Sequence, residues 1–538
     1  MPLGLALALL LPGVVAAQSN YRLAPVGGRS TLLGGTGMVY GRDAAAAFLN
    51  PATAVLADDN RLSFSANFYT VNLNLAPNWY QPGAVNEAVF GKLNTTSNAT
   101  TDFEFNALPS SLCLFIRAGS IEAIRKRIKD PKTRDASIGV CFATVQSSLF
   151  NFAAEGFNAQ QGSVVTRQAQ TVSQSHVRFA FGPTYAMNLT DELAVGASLH
   201  ASLASHRSLF AATGATYGAN SAVDANGRPI SSLFYSGSRG DALQVEPLLG
   251  ATYRFGRQKI GLSFKLPSLH VFGVGGANQN SHYEGAGIGS ATSTVTASGT
   301  FKSRSPMRIS LGTGFEAKWG NAEFNTSYSP ATRGYSAELE GNATDIRGDT
   351  IDDRAVKYSL AERSRGVVNF ALGAEVFFSS KISILGGLAT DLSAVSKGEL
   401  NGSLFNYHPA RLNRASISVG AASHGDGGEI LLGTEISAGY GERLAVNSYQ
   451  LPSAIMATGT SSYQMMFVIA GSTSLKAIKR AVTDVKKVLN QPATAQPIKP
   501  MNPEVRVPAA APAKTVVPEQ TRPNPDAPKA DAPEPKRE

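Results

Sequence analysis

The sequence predicts an all-β chain whose strands close into a fourteen-stranded antiparallel transmembrane β-barrel. Three observations carry this. Apolar residues alternate with a period of two, the opposite face is built from small residues, and the connections alternate between short and long. In a strand, successive side chains point to opposite faces. In EILLGTEISAGY, Ile430, Leu432, Ile436, Ala438 and Tyr440 share one face, while Gly433, Glu435, Ser437 and Gly439 share the other. VVNFALGAEVFF sets Val368, Phe370, Leu372, Val376 and Phe378 against Asn369, Gly373 and Glu375, and MRISLGTGFEA repeats the pattern with Ile309, Leu311 and Phe315 against Arg308, Ser310 and Gly312. A water-exposed sandwich face would carry many Lys and Glu. Gly, Ser and Ala with an occasional charge suit a crowded lumen, and the apolar face suits lipid.

Composition agrees. The 538 residues include 52 Gly, only 16% are charged, and two cysteines exclude a disulfide framework or a multi-cysteine zinc site. The net charge of +9 is concentrated: from Lys476 onward twelve Lys and Arg face seven Asp and Glu, leaving +4 for the rest. No basic stripe with interleaved aromatics is left for nucleic acid.

The elements follow in order. MPLGLALALLLPGVVAAQS opens the chain with an apolar run ending in Val15-Ala16-Ala17, the pattern of a secretory signal cut before Gln18, so residues 1–17 are expected to be removed. No later stretch reaches the roughly eighteen apolar residues of a membrane helix, so a membrane-embedded mature chain has to be a closed barrel. Residues 18–60 read as a Gly/Ala-rich segment with a short helix over DAAAAF, stopped at Asn50-Pro51. Residues 61–475 read as the barrel, with strands near 61–75, 103–118, 136–149, 170–187, 192–206, 240–255, 259–272, 293–318, 321–332, 356–378, 381–395, 413–424, 429–442 and 461–474. Short turns fall at NLTDE, GRQK, KWGN, SSK and HGDGG, whose Gly, Asn and Asp suit tight turns. Long connections are expected near 76–102, 150–169, 207–239, 273–292, 333–355, 396–412 and 443–460. Residues 476–490 carry Ile478, Val482, Val485 and Leu489 opposite a basic face, a short amphipathic helix. Residues 491–538 hold twelve of the 28 prolines and read as a disordered periplasmic tail that touches peptidoglycan, a partner, or nothing specific.

Gly41, Asp43, Ala44, Ala45, Phe48, Asn50, Pro51 and Ala52, placed after a signal peptide and directly before the first strand, resemble the N-terminal hatch of the FadL/TodX family of outer-membrane transporters. Short turns on the periplasmic side and long loops outside mark an outer-membrane barrel, an even strand number keeps both termini in the periplasm, and the resemblance implies that the barrel is closed by its own N-terminus. It also implies an apolar ligand, a long-chain fatty acid or another hydrophobic compound, released sideways through a kinked third strand touched by the Asn50-Pro51-Ala52 stop. Phe48 and Asp43 belong to the same hatch and gate. Physically, a fatty acid gains about 0.8 kcal/mol per buried methylene and favours an apolar path. The alternative for Asn50-Pro51 is a plain helix stop. SIGVCFATVQSSLFNF shows no mid-strand Gly or Pro, so the kink is not visible in sequence.

Among inward charges, Lys265 and Arg308 are candidate anchors for a ligand carboxylate, with pairing to Glu246 or Glu316 as the alternative. Alternation points Cys113 and Cys141 inward on paired strands, where they are either bonded or two separate thiols. The Asp345, Asp349, Asp352 and Asp353 run is a solvated loop or a calcium loop. No cofactor motif, metal spacing or catalytic constellation can be assembled. Passive transport of a hydrophobic compound is the first expectation; the second is a surface or structural barrel whose loops bind partners.

Overall fold

The computed structural model describes residues 20, 26–57, 60–76, 94–95, 99–105, 110–121, 126, 135–159, 164–218, 230–285, 289–396, 410–425, 427–446, 455–478 and 483. The chain divides into residues 1–482, which contain the barrel, and 483–538. The expected signal peptide, the tail after 490 and all but 476–478 and 483 of the expected helix at 476–490 lie outside the described residues.

The wall is a closed barrel of fourteen antiparallel staves built from twenty strand segments. The first stave is β1 (Arg61–Leu75), and the second is divided into β2 (Asn94–Thr95), β3 (Ala99–Phe105) and β4 (Ser111–Arg117). Four long staves follow: β5 (Ser137–Ala159), β6 (Val164–Asn188), β7 (Leu193–Gly218) and β8 (Ile230–Phe255). The next four each consist of two segments. These are β9 (Gln258–Lys265) with β10 (Leu269–Gly285), β11 (Gly289–Ser303) with β12 (Arg308–Ala317), β13 (Gly320–Ser329) with β14 (Arg333–Arg347), and β15 (Thr350–Arg363) with β16 (Val367–Phe377). Then come β17 (Ile382–Asp391), β18 (Arg411–Gly425), β19 (Gly428–Val446) and β20 (Ile455–Ser474). Pairing of β1 with β20, from Arg61 opposite Ser474 to Leu75 opposite Ser461, closes the barrel.

The alternation does what the pattern predicts. Phe370, Leu372, Ile417, Val419, Ile430 and Leu432 are exposed on the outer surface, while Glu375, Asn369, Ser418 and Glu435 on the same strands are buried inside. Three of the divided staves have a chemical cause. Pro267, Pro306 and Pro330 fall in successive staves between β9 and β10, β11 and β12, and β13 and β14. Proline cannot donate to a ladder, so pairing lapses there.

The short turns sit where expected, with Gly256 at φ +61 between β8 and β9. The long connections differ from expectation. Much of 150–169, 207–239 and 273–292 is strand, extending β5 through β8, β10 and β11, and 333–355 is a hairpin of β14 and β15 turning at Gly348 (φ +56). Runs rich in Thr, Ser and Ala alternate too weakly to mark strands, yet ladder bonds to long neighbours hold them. The acidic residues therefore lie on and beside a paired hairpin, where Arg354 Nη2 meets Asp345 Oδ2 at 3.0 Å.

Candidate functional site: the lumen and the N-terminal segment

Residues 26–57 lie against the inner wall as α1 (Gly28–Leu32), α2 (Ala45–Phe48) and a 3-10 turn at Pro51–Leu56. The Gly/Ala composition explains the fit. Small residues let the backbone approach the wall, and wall glycines leave the matching space: a Cβ on Gly250 would strike Asn50 and Pro51, and one on Gly420 would strike Leu32. Two apolar contacts seat the segment. Val26, Phe48, Ala52, Val55 and their alanine neighbours pack with Cys113, Phe115, Cys141 and Val145, while Leu32 and Leu33 pack with Leu385, Leu431, Met466 and Val468.

Polar bonds fix the segment more specifically. Asn50 both follows α2 and caps the 3-10 turn: its Oδ1 accepts from Ala52 N at 3.2 Å. The motif is therefore a start as well as a stop. Asn50 Nδ2 donates to Met38 O at 2.6 Å, Ala251 O at 3.2 Å and Thr252 Oγ1 at 3.1 Å, the last two on β8. Glu323 on β13 accepts from four successive backbone amides, those of Gly37, Met38, Val39 and Tyr40, at 2.7, 2.6, 3.4 and 3.2 Å. Arg29 of α1 pairs with Glu375 on β16 and, at 3.2 Å, with Glu429 on β19. Asp43 accepts from Arg29 N at 3.1 Å and Ala45 N at 3.0 Å, and burial pushes its carboxyl up to about 6 despite those bonds. Sequence reading picked out Asn50 and Asp43 but missed Glu323, Glu375 and Arg29. Inward Glu on otherwise small-residue faces was the available signal.

Beyond the segment the inner wall is layered. Next comes a charged belt in which Glu246 on β8 meets Lys265 Nζ at 2.5 Å and Arg178 Nη1 at 3.4 Å. Lys265 Nζ also donates to Ser305 Oγ at 2.7 Å, and Arg308 Nη2 donates to Phe48 O at 3.2 Å. Phe48 stacks on His200 with ring centroids 4.3 Å apart. Lys265 thus takes the expected alternative partner, Glu246. Arg308 does not meet Glu316, whose partner is Lys259 at 3.2 Å. The belt buries three cations beside one carboxylate, and Arg308 Nε has no hydrogen-bond partner among the described residues. Arg308 also lines a cavity of about 80 Å³ between the segment and the wall, together with Val26, Met38, Leu49, Asn325 and Asn369.

Further along the same strands lies a polar layer with Gln174, His176 and His206, and beyond it an apolar cluster of Phe150, Phe152, Phe210, Phe234, Val172 and Leu412. Arg443 is buried with its guanidinium 3.9 Å from the Phe152 ring centroid.

Among the described pairings the ladder between the second and third staves is interrupted. β4 pairs with β5 from Arg117 opposite Ser137 to Ser111 opposite Ala143, and Thr144 N still donates to Ser110 O at 2.8 Å. At Val145 the β5 register shifts against β6. Beyond it β3 pairs with β1, while β5 from Gln146 to Phe152 pairs with β6 and, among the described pairings, not with β3. The third strand is therefore bulged without Gly or Pro. Near the bulge Gln146 Nε2 donates to Asn20 O at 2.9 Å, and Asn20 Nδ2 reaches Asp391 O at 2.8 Å. Cys113 and Cys141 face each other below the seam and form a disulfide, with Cα atoms 4.1 Å apart.

No family model and no curated protein sequence matches the chain. Among solved structures it is similar to the CymD monoaromatic hydrocarbon channel, with 14% identity, 85% of this chain and 99% of that chain covered, and a TM-score of 0.47. It is also similar to the Pseudomonas putida toluene transporter TodX, at 14% identity, 85% and 100% coverage and TM-score 0.46. A Pseudomonas aeruginosa FadL homologue matches at 12% identity, 86% and 100% coverage and TM-score 0.46.

Proposed function

We propose that this chain is an outer-membrane barrel that passes an amphiphile with a long apolar part and an acidic head, a fatty acid or similar lipid, without nucleotide energy and without catalysis. The observation that carries the reading is the segment 26–57, seated against the inner wall by the bonds of Asn50 to Ala251 O and Thr252 Oγ1 on β8 and of Glu323 on β13 to the amides of residues 37–40. Such a plug closes the barrel to water while its bonds remain individually breakable. In this reading Asn50, Pro51, Ala52, Phe48 and Asp43 form the hatch. Arg308, with Lys265 and Arg178, holds the carboxylate, since three buried cations against Glu246 leave a surplus of positive charge that an anion would neutralise. The aromatic cluster receives the tail, and the seam beside β3 is the sideways exit into the bilayer. Both termini then lie in the periplasm.

The layering also favours a second reading, a surface barrel that transports nothing, because a polar layer separates the aromatic cluster from the segment. Uptake of a labelled long-chain fatty acid by cells lacking their own transporter separates the two. Wild type is expected to restore uptake, and Asn50→Ala to change it while the barrel still assembles. If wild type adds nothing over empty cells for several apolar substrates, the surface-barrel reading takes its place.

A further inference from the structure

The ladder between β16 and β17 stops while both strands continue. Its last pair is Ala371 opposite Ala389, yet β16 begins at Val367 and β17 runs to Asp391. On its other side β16 stays paired with β13 through Val367 opposite Ser329, so the strand itself has not ended. Past Ala371 and Ala389, side chains replace the backbone. Thr390 Oγ1 accepts from Phe370 N at 2.9 Å and donates to Phe370 O at 3.5 Å, and Asn369 Oδ1 accepts from Leu392 N at 2.8 Å. Backbone contact returns only where Arg365 N donates to Ala394 O at 2.8 Å and Ser364 bridges Val395. Residues 364–396 are all described. Outside, Val368, Phe370 and Leu388 expose an apolar surface around the interruption. Hydrocarbon supplies no partner for opened backbone groups, so Thr390 and Asn369 satisfy them there.

Inside, the N-terminal segment covers the same place. Its turn at Gly34 (φ +69) and Gly35 (φ +86) presses on the last ladder pairs: a Cβ on Gly34 would strike Leu388 N and O and Leu372 O, and one on Gly387 would strike Gly34. Beside this turn lies the cavity of about 80 Å³, bordered by Asn369, Phe370 and Ala371 of β16 and by Ala389 and Thr390 of β17. Arg308 and Asn325 line it as well, and Arg308 Nε and Asn325 Oδ1 are buried with no hydrogen-bond partner among the described residues. Roughly 10–15 Å³ of cavity holds one water, so this one holds a polar head and not a long chain. From this arrangement we infer that the β16–β17 interruption is a second side opening in the wall, through which the chain of an amphiphile leads to the bilayer while its acidic head lies in the cavity at Arg308. Resting on the proposed passage of an acidic amphiphile, this opening gives the chain a path apart from the aromatic cluster and from the seam beside β3. Thr390 and Asn369 are its positioning residues. They hold the strands together by single side-chain bonds, which a chain displaces without breaking a ladder.

Photolabelling of the full-length protein in nanodiscs tests this, with a long-chain fatty acid that carries a diazirine at its terminal carbon and with labelled sites read by peptide mass spectrometry. In wild type, labelling that excess unlabelled fatty acid competes away is expected at 367–371 and 388–392. The methyl ester of the same probe should give none there. Arg308→Met should lower the competed labelling about tenfold, the loss expected when a charge-assisted bond is removed. Heat-modifiable gel migration reports whether the variant has folded; if it has not, the wild-type maps of acid and ester decide. Competed labelling confined to Phe150, Phe152, Phe210 and Phe234 would overturn the side opening and leave the proposed transport standing. Labelling at 367–371 and 388–392 that excess fatty acid does not reduce is plain contact with the bilayer and would overturn it too. Equal competed labelling by acid and ester would remove the head from Arg308 and overturn the assignment. No competed labelling anywhere in wild type would overturn both the opening and the transport reading.

Discussion

Single residues set how firmly the N-terminal segment is held, and two of them give measurable outcomes. Asn50 donates to Met38 O, Ala251 O and Thr252 Oγ1 while capping the turn at Ala52. In Asn50→Ala the carbonyls lose their donor inside the lumen, at a cost of about 1–3 kcal/mol. Residues 26–57 should then become roughly 5- to 150-fold more susceptible to amide exchange, with the barrel ladders unaffected; an unchanged exchange rate would show that Asn50 does not hold the segment. Asp43 gives a pH signature. Its carboxyl is raised from 3.8 to about 6 in the seated state, first by burial and then by the nearby Glu429, against Arg29. The seated form therefore binds the proton more tightly than the free form. This contribution to seating is fully present below pH 3.8 and is lost as pH rises through about 6. Protease protection of the segment should fall between pH 4 and pH 7, and Asp43→Asn should flatten that profile. Asn50 stood out in the sequence because Asn-Pro after an alanine run is unusual, and Asp43 because it falls in the stretch that resembles the FadL/TodX hatch. Arg29 and Glu375 did not, since a lone charge says nothing about a partner several hundred positions away.

At the level of elements, alternation revealed the strands but not where they are interrupted. Val368 to Phe378 and Ile430 to Tyr440 alternate cleanly because one face is exposed and apolar and the other is turned inward, whereas β15 is exposed on both faces from Ile351 to Ala355 and loses the contrast. The interruptions at Pro267, Pro306 and Pro330 were present in the sequence, but only pairing aligns them across neighbouring staves. The bulge at Val145 had no signal at all, because a valine there looks like any strand residue. The loop at residues 37–40 is an element made by its partner: four backbone amides converge on Glu323. Backbone amides bind a charged acceptor more strongly than a neutral one. Glu323→Gln keeps the shape and removes the charge, so exchange at residues 37–40 should rise about tenfold, with less effect at α1. Equal loosening of α1 would mean that the segment moves as one rigid piece and that Glu323 is not its local anchor.

For the whole molecule, the order of layers along the lumen decides what the barrel could accept. The aromatic cluster, the polar layer, the charged belt and the seated segment succeed one another along β6, β7 and β8. A neutral hydrocarbon would gain nothing in the belt and would displace water from polar groups that need it. An acidic amphiphile would place its carboxylate beside Arg308, whose Nε has no described partner, while its chain remains on apolar residues. Selectivity should therefore follow charge at constant chain length. In cells expressing the wild type, an unlabelled fatty acid should compete with labelled fatty acid, and its methyl ester and the matching alkane should compete far less. Arg308→Met keeps an unbranched apolar stem in place of the side chain and removes the guanidinium charge. A charge-assisted hydrogen bond is worth about 1.5–3 kcal/mol, and about 1.4 kcal/mol is tenfold in affinity, so the variant should need roughly 10- to 100-fold more fatty acid for half-maximal competition. The methyl ester should compete equally well in both proteins, because it carries no charge for Arg308 to meet. If acid and ester compete alike in the wild type, the charged belt serves the wall and not the ligand, and the cations are there to hold Glu246 and Phe48 in place.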